Sequence, residues 1–193
     1  MSRRAESSRV RVAGIDVGGA AKGFHLAIQD PQDGLIAIHQ ASEPAQILKY
    51  LKHYGVHGTI AIDCPSSPFV KGSSTREAER ALVRKGYRIQ WTRRKDSGVK
   101  PQEWMLNGER VWKALRRAGF VAIETFPTAI SDQLADSKDV LPIRLLAGRE
   151  LRAEWKDYLD ACLCALVARA HLQGRAVELE DGPGKLGSIW LLA

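Results

Sequence analysis

Only 3 of the 193 residues are cysteine, Cys64, Cys162 and Cys164, and their spacing fits neither a disulfide framework nor a zinc site. That scarcity points to a reducing, cytoplasmic setting. The five histidines, His25, His39, His53, His57 and His171, form no HxH pair, and the single i, i+4 pair, His53 and His57, has no cysteine or further histidine beside it, so the usual zinc chemistries are not expected. No apolar run approaches the roughly 18 residues of a membrane span, so a membrane partner is not expected. The opening MSRRAESSR is basic and polar, without the apolar stretch a signal peptide needs. Internal repeats and low-complexity segments are absent. Ser66 and Ser67 have no histidine near them in sequence to act as a base, so they read as loop residues.

What is abundant is positive charge, and it is unevenly placed. The chain carries a net charge of +7, but residues 71–117 hold 14 basic and 5 acidic groups. The whole excess therefore sits in one middle block, which suits a polyanion such as DNA or RNA. Within it Arg76, Arg80 and Arg84 fall at i, i+4 and i+8, a continuous stripe if the segment is one helix. Arg93, Arg94 and Lys95 lie in a loop-like stretch and are the other phosphate-binding candidates. Trp91 and Trp104 are placed to stack a base, although core packing suits Trp104 and Trp112 better.

The length suits one domain spanning 1–193. The opening reads as three antiparallel strands: an apolar run in Arg9–Gly23, then Lys22–Gln29 with Phe24, Leu26 and Ile28 inward, then Leu35–His39 after the DPQDG turn. Ser42 is placed to cap a helix over Glu43–Tyr54, and TIAI at 59–62 forms a fourth strand. Ser74 with Glu77 gives a capping-box pattern for a helix to Lys85. Tyr87–Trp91 is a short strand or extended loop. Helices are expected over Glu103–Ala118, Pro127–Leu134 and Asp157–Leu172, with a strand at Phe120–Ile123 and a hairpin within 175–193. Residues 136–155 read only as broken helix around Pro142 and Gly148.

The chemistry concentrates in carboxylates. Asp16 sits inside a β-branched strand, where an unpaired charge costs several kcal/mol, about enough to demand a partner. Asp63 and Glu124 likewise end apolar strands, each followed by a proline within three residues. Asp157 and Asp160 share one helix face. Acids from neighbouring strand ends and a facing helix would converge, and like charges so close need a cation between them. Hard oxygen ligands suit Mg²⁺ or Mn²⁺, the ions of in-line phosphodiester hydrolysis. For Asp157 the alternative is a simple helix-end carboxylate.

The ordered set GIDVGG, IDCP, REAER, IETFP and DYLDACLCAL, with the ending DGPGKLGSIWLL, resembles the family catalogued as domain of unknown function 429. Its members are regarded as predicted nucleases of the RNase H-like fold, akin to RuvC-type resolvases. The resemblance implies an α/β fold with a mixed five-stranded sheet, strands 1–3 antiparallel, and helices on both faces. It makes residues 71–117 a basic helical insertion between strands 4 and 5. It also implies Asp16, Asp63, Asp157 and Asp160 as metal ligands and Glu124 as the strand-five acid, all five catalytic. A homodimer is compatible with the sequence.

Two other readings remain at this stage. One is an RNase H-like module that binds nucleic acid or a protein without turnover. The other is an actin-like phosphotransferase, since GIDVGGAAKG resembles the phosphate loop of sugar kinases. That loop is not a P-loop, because GK[ST] is missing.

Overall fold

The computed structural model describes residues 10–32, 34–70, 75–135, 152–180 and 187–193. In chain order come β1 (Val12–Val17), β2 (Phe24–Asp30), β3 (Gly34–Ala41), α1 (Pro44–His53), β4 (Ile60–Asp63) and β5 (Phe69–Val70). They are followed by α2 (Glu77–Arg84), β6 (Arg93–Arg94), α3 (Glu103–Arg117), β7 (Ala122–Thr125) and α4 (Pro127–Ala135). The long helix α5 (Arg152–Leu172) and the strands β8 (Ala176–Leu179) and β9 (Ile189–Leu192) complete the described elements. The fold is mixed α/β.

The main sheet has seven strands in the order β3-β2-β1-β4-β7-β9-β8. β1, β2 and β3 are antiparallel neighbours, as expected, whereas β4, β7 and β9 run parallel in succession from β1. The expectation of five strands is corrected by the C-terminal hairpin. It forms from β8 and β9 as read, but β9 docks beside β7 and extends the sheet. Of the two alternatives for Tyr87–Trp91 the extended loop is observed, and a short ladder not expected from the sequence pairs Arg93–Arg94 with Phe69–Val70.

Alternation along β1 sorts its residues between two layers. Ala13, Ile15 and Val17 pack with Ile47 and Leu51 of α1 and Val111, Trp112 and Leu115 of α3. Gly14 points the other way, against α5, where an added Cβ would overlap the Ala161 carbonyl and the Ala165 amide. Ala27 of β2 packs there with Ala161 and Ala165, and Ala61 of β4 joins the cluster around Cys164 and Val167. Small residues on both sides thus let α5 lie close against the sheet. This cover also corrects the reading of β2, which is buried on both faces through Gln29 instead of on alternate positions only.

The starts of α1 and α2 differ from expectation by one and two residues, and α5 begins five residues before the expected Asp157. Glu43, not Ser42, occupies the N-cap of α1, with Gln46 Oε1 accepting from the Ser42 and Glu43 amides. α2 begins at Glu77 with Arg76 at its N-cap, and Ser74 lies outside the described residues. Of the stretch 136–155, residues 136–151 are outside them too, and 152–155 open α5. Among the described residues no helix is long and apolar enough to cross a membrane.

Candidate metal centre at the strand ends

The close packing of α5 at Gly14 sets the geometry one pleat further along. Asp16 follows Gly14 on the same face of β1 and is in register with Asp63 of β4 on one side and His25 of β2 on the other. One turn towards the N-terminus of α5 from Ala161 stand Asp157, Tyr158 and Asp160. Single oxygens of Asp16, Asp63 and Asp160 lie within 4.8 Å of one another. A second group, Asp16, His25 and Asp157, meets the same distance. Asp16 is shared by both and is only 7% exposed.

The electrostatics match this crowding. Burial, then the charges of Asp16 and Asp160, push the Asp63 carboxyl well above its ordinary range. Burial also raises Asp160, against the opposing pull of Lys156. Lys156 itself is raised: burial lowers it, but its hydrogen bond to Asp160 and the nearby acids outweigh that. Lys22 Nζ reaches Asp157 at 2.7 and 3.0 Å from a solvent-facing position. Two lysines therefore sit on the rim, paired with the two helix aspartates, while Asp16 and Asp63 face each other deeper in.

Three hard oxygen donors from two parallel strands and a helix fit a divalent cation of the Mg²⁺ or Mn²⁺ type. The raised proton affinities of Asp63 and Asp160 are the mark of carboxylates short of positive charge, which a cation would supply.

Glu124 is not in either group. β7 pairs Glu124 with Ile62, one residue out of step with Asp63. Both Glu124 oxygens accept from Arg76, Nη1 and Nη2 each at 2.8 Å, and Nη2 also donates to the Gly187 carbonyl at 2.7 Å. Arg76 is 1% exposed. That corrects its place in a basic stripe: as the N-cap residue it turns into the core, and of the three arginines only Arg80 and Arg84 face solvent. Glu79 beside it accepts from the Thr92 amide at 3.0 Å and from the Thr92 hydroxyl. Arg76, Glu124, Glu79 and Thr92 form a buried network that the sequence reading missed, since capping patterns do not reveal which way a long side chain turns.

The remaining basic candidates are on the surface. Arg84 is 2.7 Å from Glu77, Arg80 donates to the Thr75 hydroxyl at 2.6 Å, and Arg94 pairs with Asp96. Lys95 is exposed. The side chain of Arg93 falls outside those described. An open cleft of about 300 Å³ joins Asp63 and Glu124 to Arg88, Gln90, Trp104 and Phe126. The Trp104 indole donates to Gln90 and Gln102 there, while Trp112 is buried with its indole on the Cys64 carbonyl.

The chain is similar to two solved structures. They are the Thermus thermophilus RuvC structure (16% identity, 86% of this chain and 97% of that one, TM-score 0.45) and T. thermophilus RuvC in complex with Holliday junction substrate (17%, 86% and 96%, 0.45). The likeness is distant. No protein-family model matches the chain, and no curated protein matches it.

The glycine loop after Asp16 bears on the kinase alternative. Gly18 N–H donates to the Gly23 carbonyl at 2.8 Å, and the Lys22 and Gly23 amides donate to the Gly19 carbonyl at 3.0 and 2.8 Å. Those amides satisfy the turn itself and are not presented to a phosphate chain.

Proposed function

We propose that this protein is a metal-dependent nuclease of the RNase H-like type that hydrolyses phosphodiester bonds in DNA or RNA. The convergence of Asp16, Asp63 and Asp160 at the carboxyl ends of two parallel strands carries this reading. Asp16, Asp63 and Asp160 hold the cation, with Asp157 beside them. Glu124, held by Arg76, acts as the anchor of the strand end and not as a ligand. A bound Mg²⁺ or Mn²⁺ would supply Lewis-acid activation of water and neutralise charge at the leaving oxygen. The chain's own residues do the rest. The buried position of Asp16 and the packing of α5 at Gly14 fix the carboxylates before substrate arrives. Lys156 tempers their repulsion. Arg80, Arg84, Arg93, Arg94 and Lys95, with Arg88 at the cleft, hold the phosphate backbone by charge.

The test is cleavage by purified protein in Mn²⁺ of a panel of single-stranded, duplex and branched substrates. Asp16→Asn should reduce the rate about 100-fold or more, since loss of even an outer partner of a metal ligand costs 10–100-fold. Cleavage undiminished in Asp16→Asn would overturn the assignment. The pairing of Lys22 and Lys156 with the helix aspartates favours one second reading, a binding module without turnover. Salt-sensitive nucleic-acid binding with no metal-dependent cleavage would support it.

A further inference from the structure

His25 is 5% exposed, and its Nδ1 is a buried atom with no hydrogen-bond partner. Asp16 Oδ2 lies 3.6 Å from it, too long for a hydrogen bond. Buried polar atoms are nearly always satisfied, so an orphaned ring nitrogen facing two carboxylates asks for an explanation. The ring is not loosely placed. β2 pairs His25 directly with Asp16, and Tyr158 of α5 packs edge-on at 4.6 Å between centroids. Asp157, one residue before Tyr158, brings a carboxylate oxygen into the same group.

We propose that His25 Nδ1, Asp16 and Asp157 form a second divalent-cation position that selects Mn²⁺ or a similar first-row transition ion over Mg²⁺ by nitrogen ligation. The proposal rests on the metal reading of the neighbouring Asp16, Asp63 and Asp160 group, and it adds a ligand of a different kind. Two donors about 2.1 Å from a shared ion lie about 3.0–3.6 Å apart, which matches the Asp16–His25 separation. Mg²⁺ favours oxygen, whereas imidazole suits the transition ions. Asp16 then bridges the two positions, because it belongs to both groups. The cation that now answers Asp157 is Lys22, and its side chain is 61% exposed. A surface pair of this kind holds its partner weakly, so an entering ion displaces the ammonium at little cost.

The experiment is a Mn²⁺ titration of the metal-free full chain, followed by EPR. Free Mn²⁺ is counted in solution, and pulsed EPR reads nitrogen coupling to the bound ion. Two Mn²⁺ per chain with ¹⁴N modulation are expected. His25→Ala should abolish the modulation, remove one equivalent of Mn²⁺, and reduce the preference for Mn²⁺ over Mg²⁺ about 10-fold or more. Should His25→Ala fold poorly by circular dichroism, Asp157→Asn serves, and it should lose the same equivalent and the same modulation. Bound Mn²⁺ without nitrogen modulation in the unaltered protein would overturn the second position while leaving the carboxylate site standing. So would modulation that survives in His25→Ala. No Mn²⁺ bound at all would overturn both readings together.

Discussion

Asp63 carries a stability cost that the protein accepts for its site. Its folded-state carboxyl holds a proton to higher pH than the ordinary value of 3.8, because of burial and then Asp16 and Asp160. The native state thus binds more protons than the unfolded chain over that interval, so this group's contribution falls as pH rises through it. Asp160 acts in the same direction. Asp63→Asn should be more stable than the unaltered protein in EDTA, with an advantage that is small near pH 4 and grows towards pH 8. Urea unfolding across that range checks it, and added Mn²⁺ should narrow the gap by stabilising the unaltered protein alone. Arg76 makes the opposite prediction. Arg76→Met strands Glu124 without its guanidinium and should cost about 3–5 kcal/mol in thermal or urea unfolding. Adding Glu124→Gln should recover part of that loss, because the stranded charge is then gone. At this scale the sequence exposed the acids, which stand out in apolar strands. It hid His25, a lone histidine whose meaning depends on which strand residue lies opposite, and it misdirected Arg76, whose helical spacing begins one residue before the helix does.

The contact of α5 with Gly14 governs the placement of the site at the level of elements. A Cβ at that position would meet backbone atoms, which cannot rotate away as a side chain can. Gly14→Ala should therefore cost about 3 kcal/mol or more, or fail to fold, as over-packing against a rigid neighbour does. Urea unfolding reads the loss. Gly108 plays a like part in α3, where a Cβ would overlap the Cys64 side chain just beyond Asp63. The apolar alternation of β2 and the small residues of α5 were legible. Their combination was not, since His25, Ala27 and Gln29 are buried only because α5 covers them. The hairpin of β8 and β9 was likewise readable from local pattern. Its addition to the sheet depends on pairing with β7 some 65 residues away, for which local sequence holds no signal.

Across the whole molecule, charge and shape divide the labour between a basic middle block and an acidic floor. Much of the block's charge is already answered on the surface: Arg80 and Arg84 by Glu77, and Arg94 by Asp96. Lys95 on the same exposed stretch is the better single probe of phosphate binding. Lys95→Ala should weaken binding of the metal-free protein to nucleic acid and lower the slope of log affinity against log salt by about 1. Fluorescence anisotropy over a range of salt concentrations measures it. The floor has its own consequence for how the protein comes into being. Asp16 and Asp63 lie in the first third of the chain, but Asp160 arrives almost 100 residues after Asp63, on α5. A ribosome releasing this chain in order therefore sets two carboxylates side by side early and withholds the third until α5 has been made. In that interval the nascent chain lacks the third carboxylate of the proposed metal site, which is complete only once α5 has folded onto the sheet.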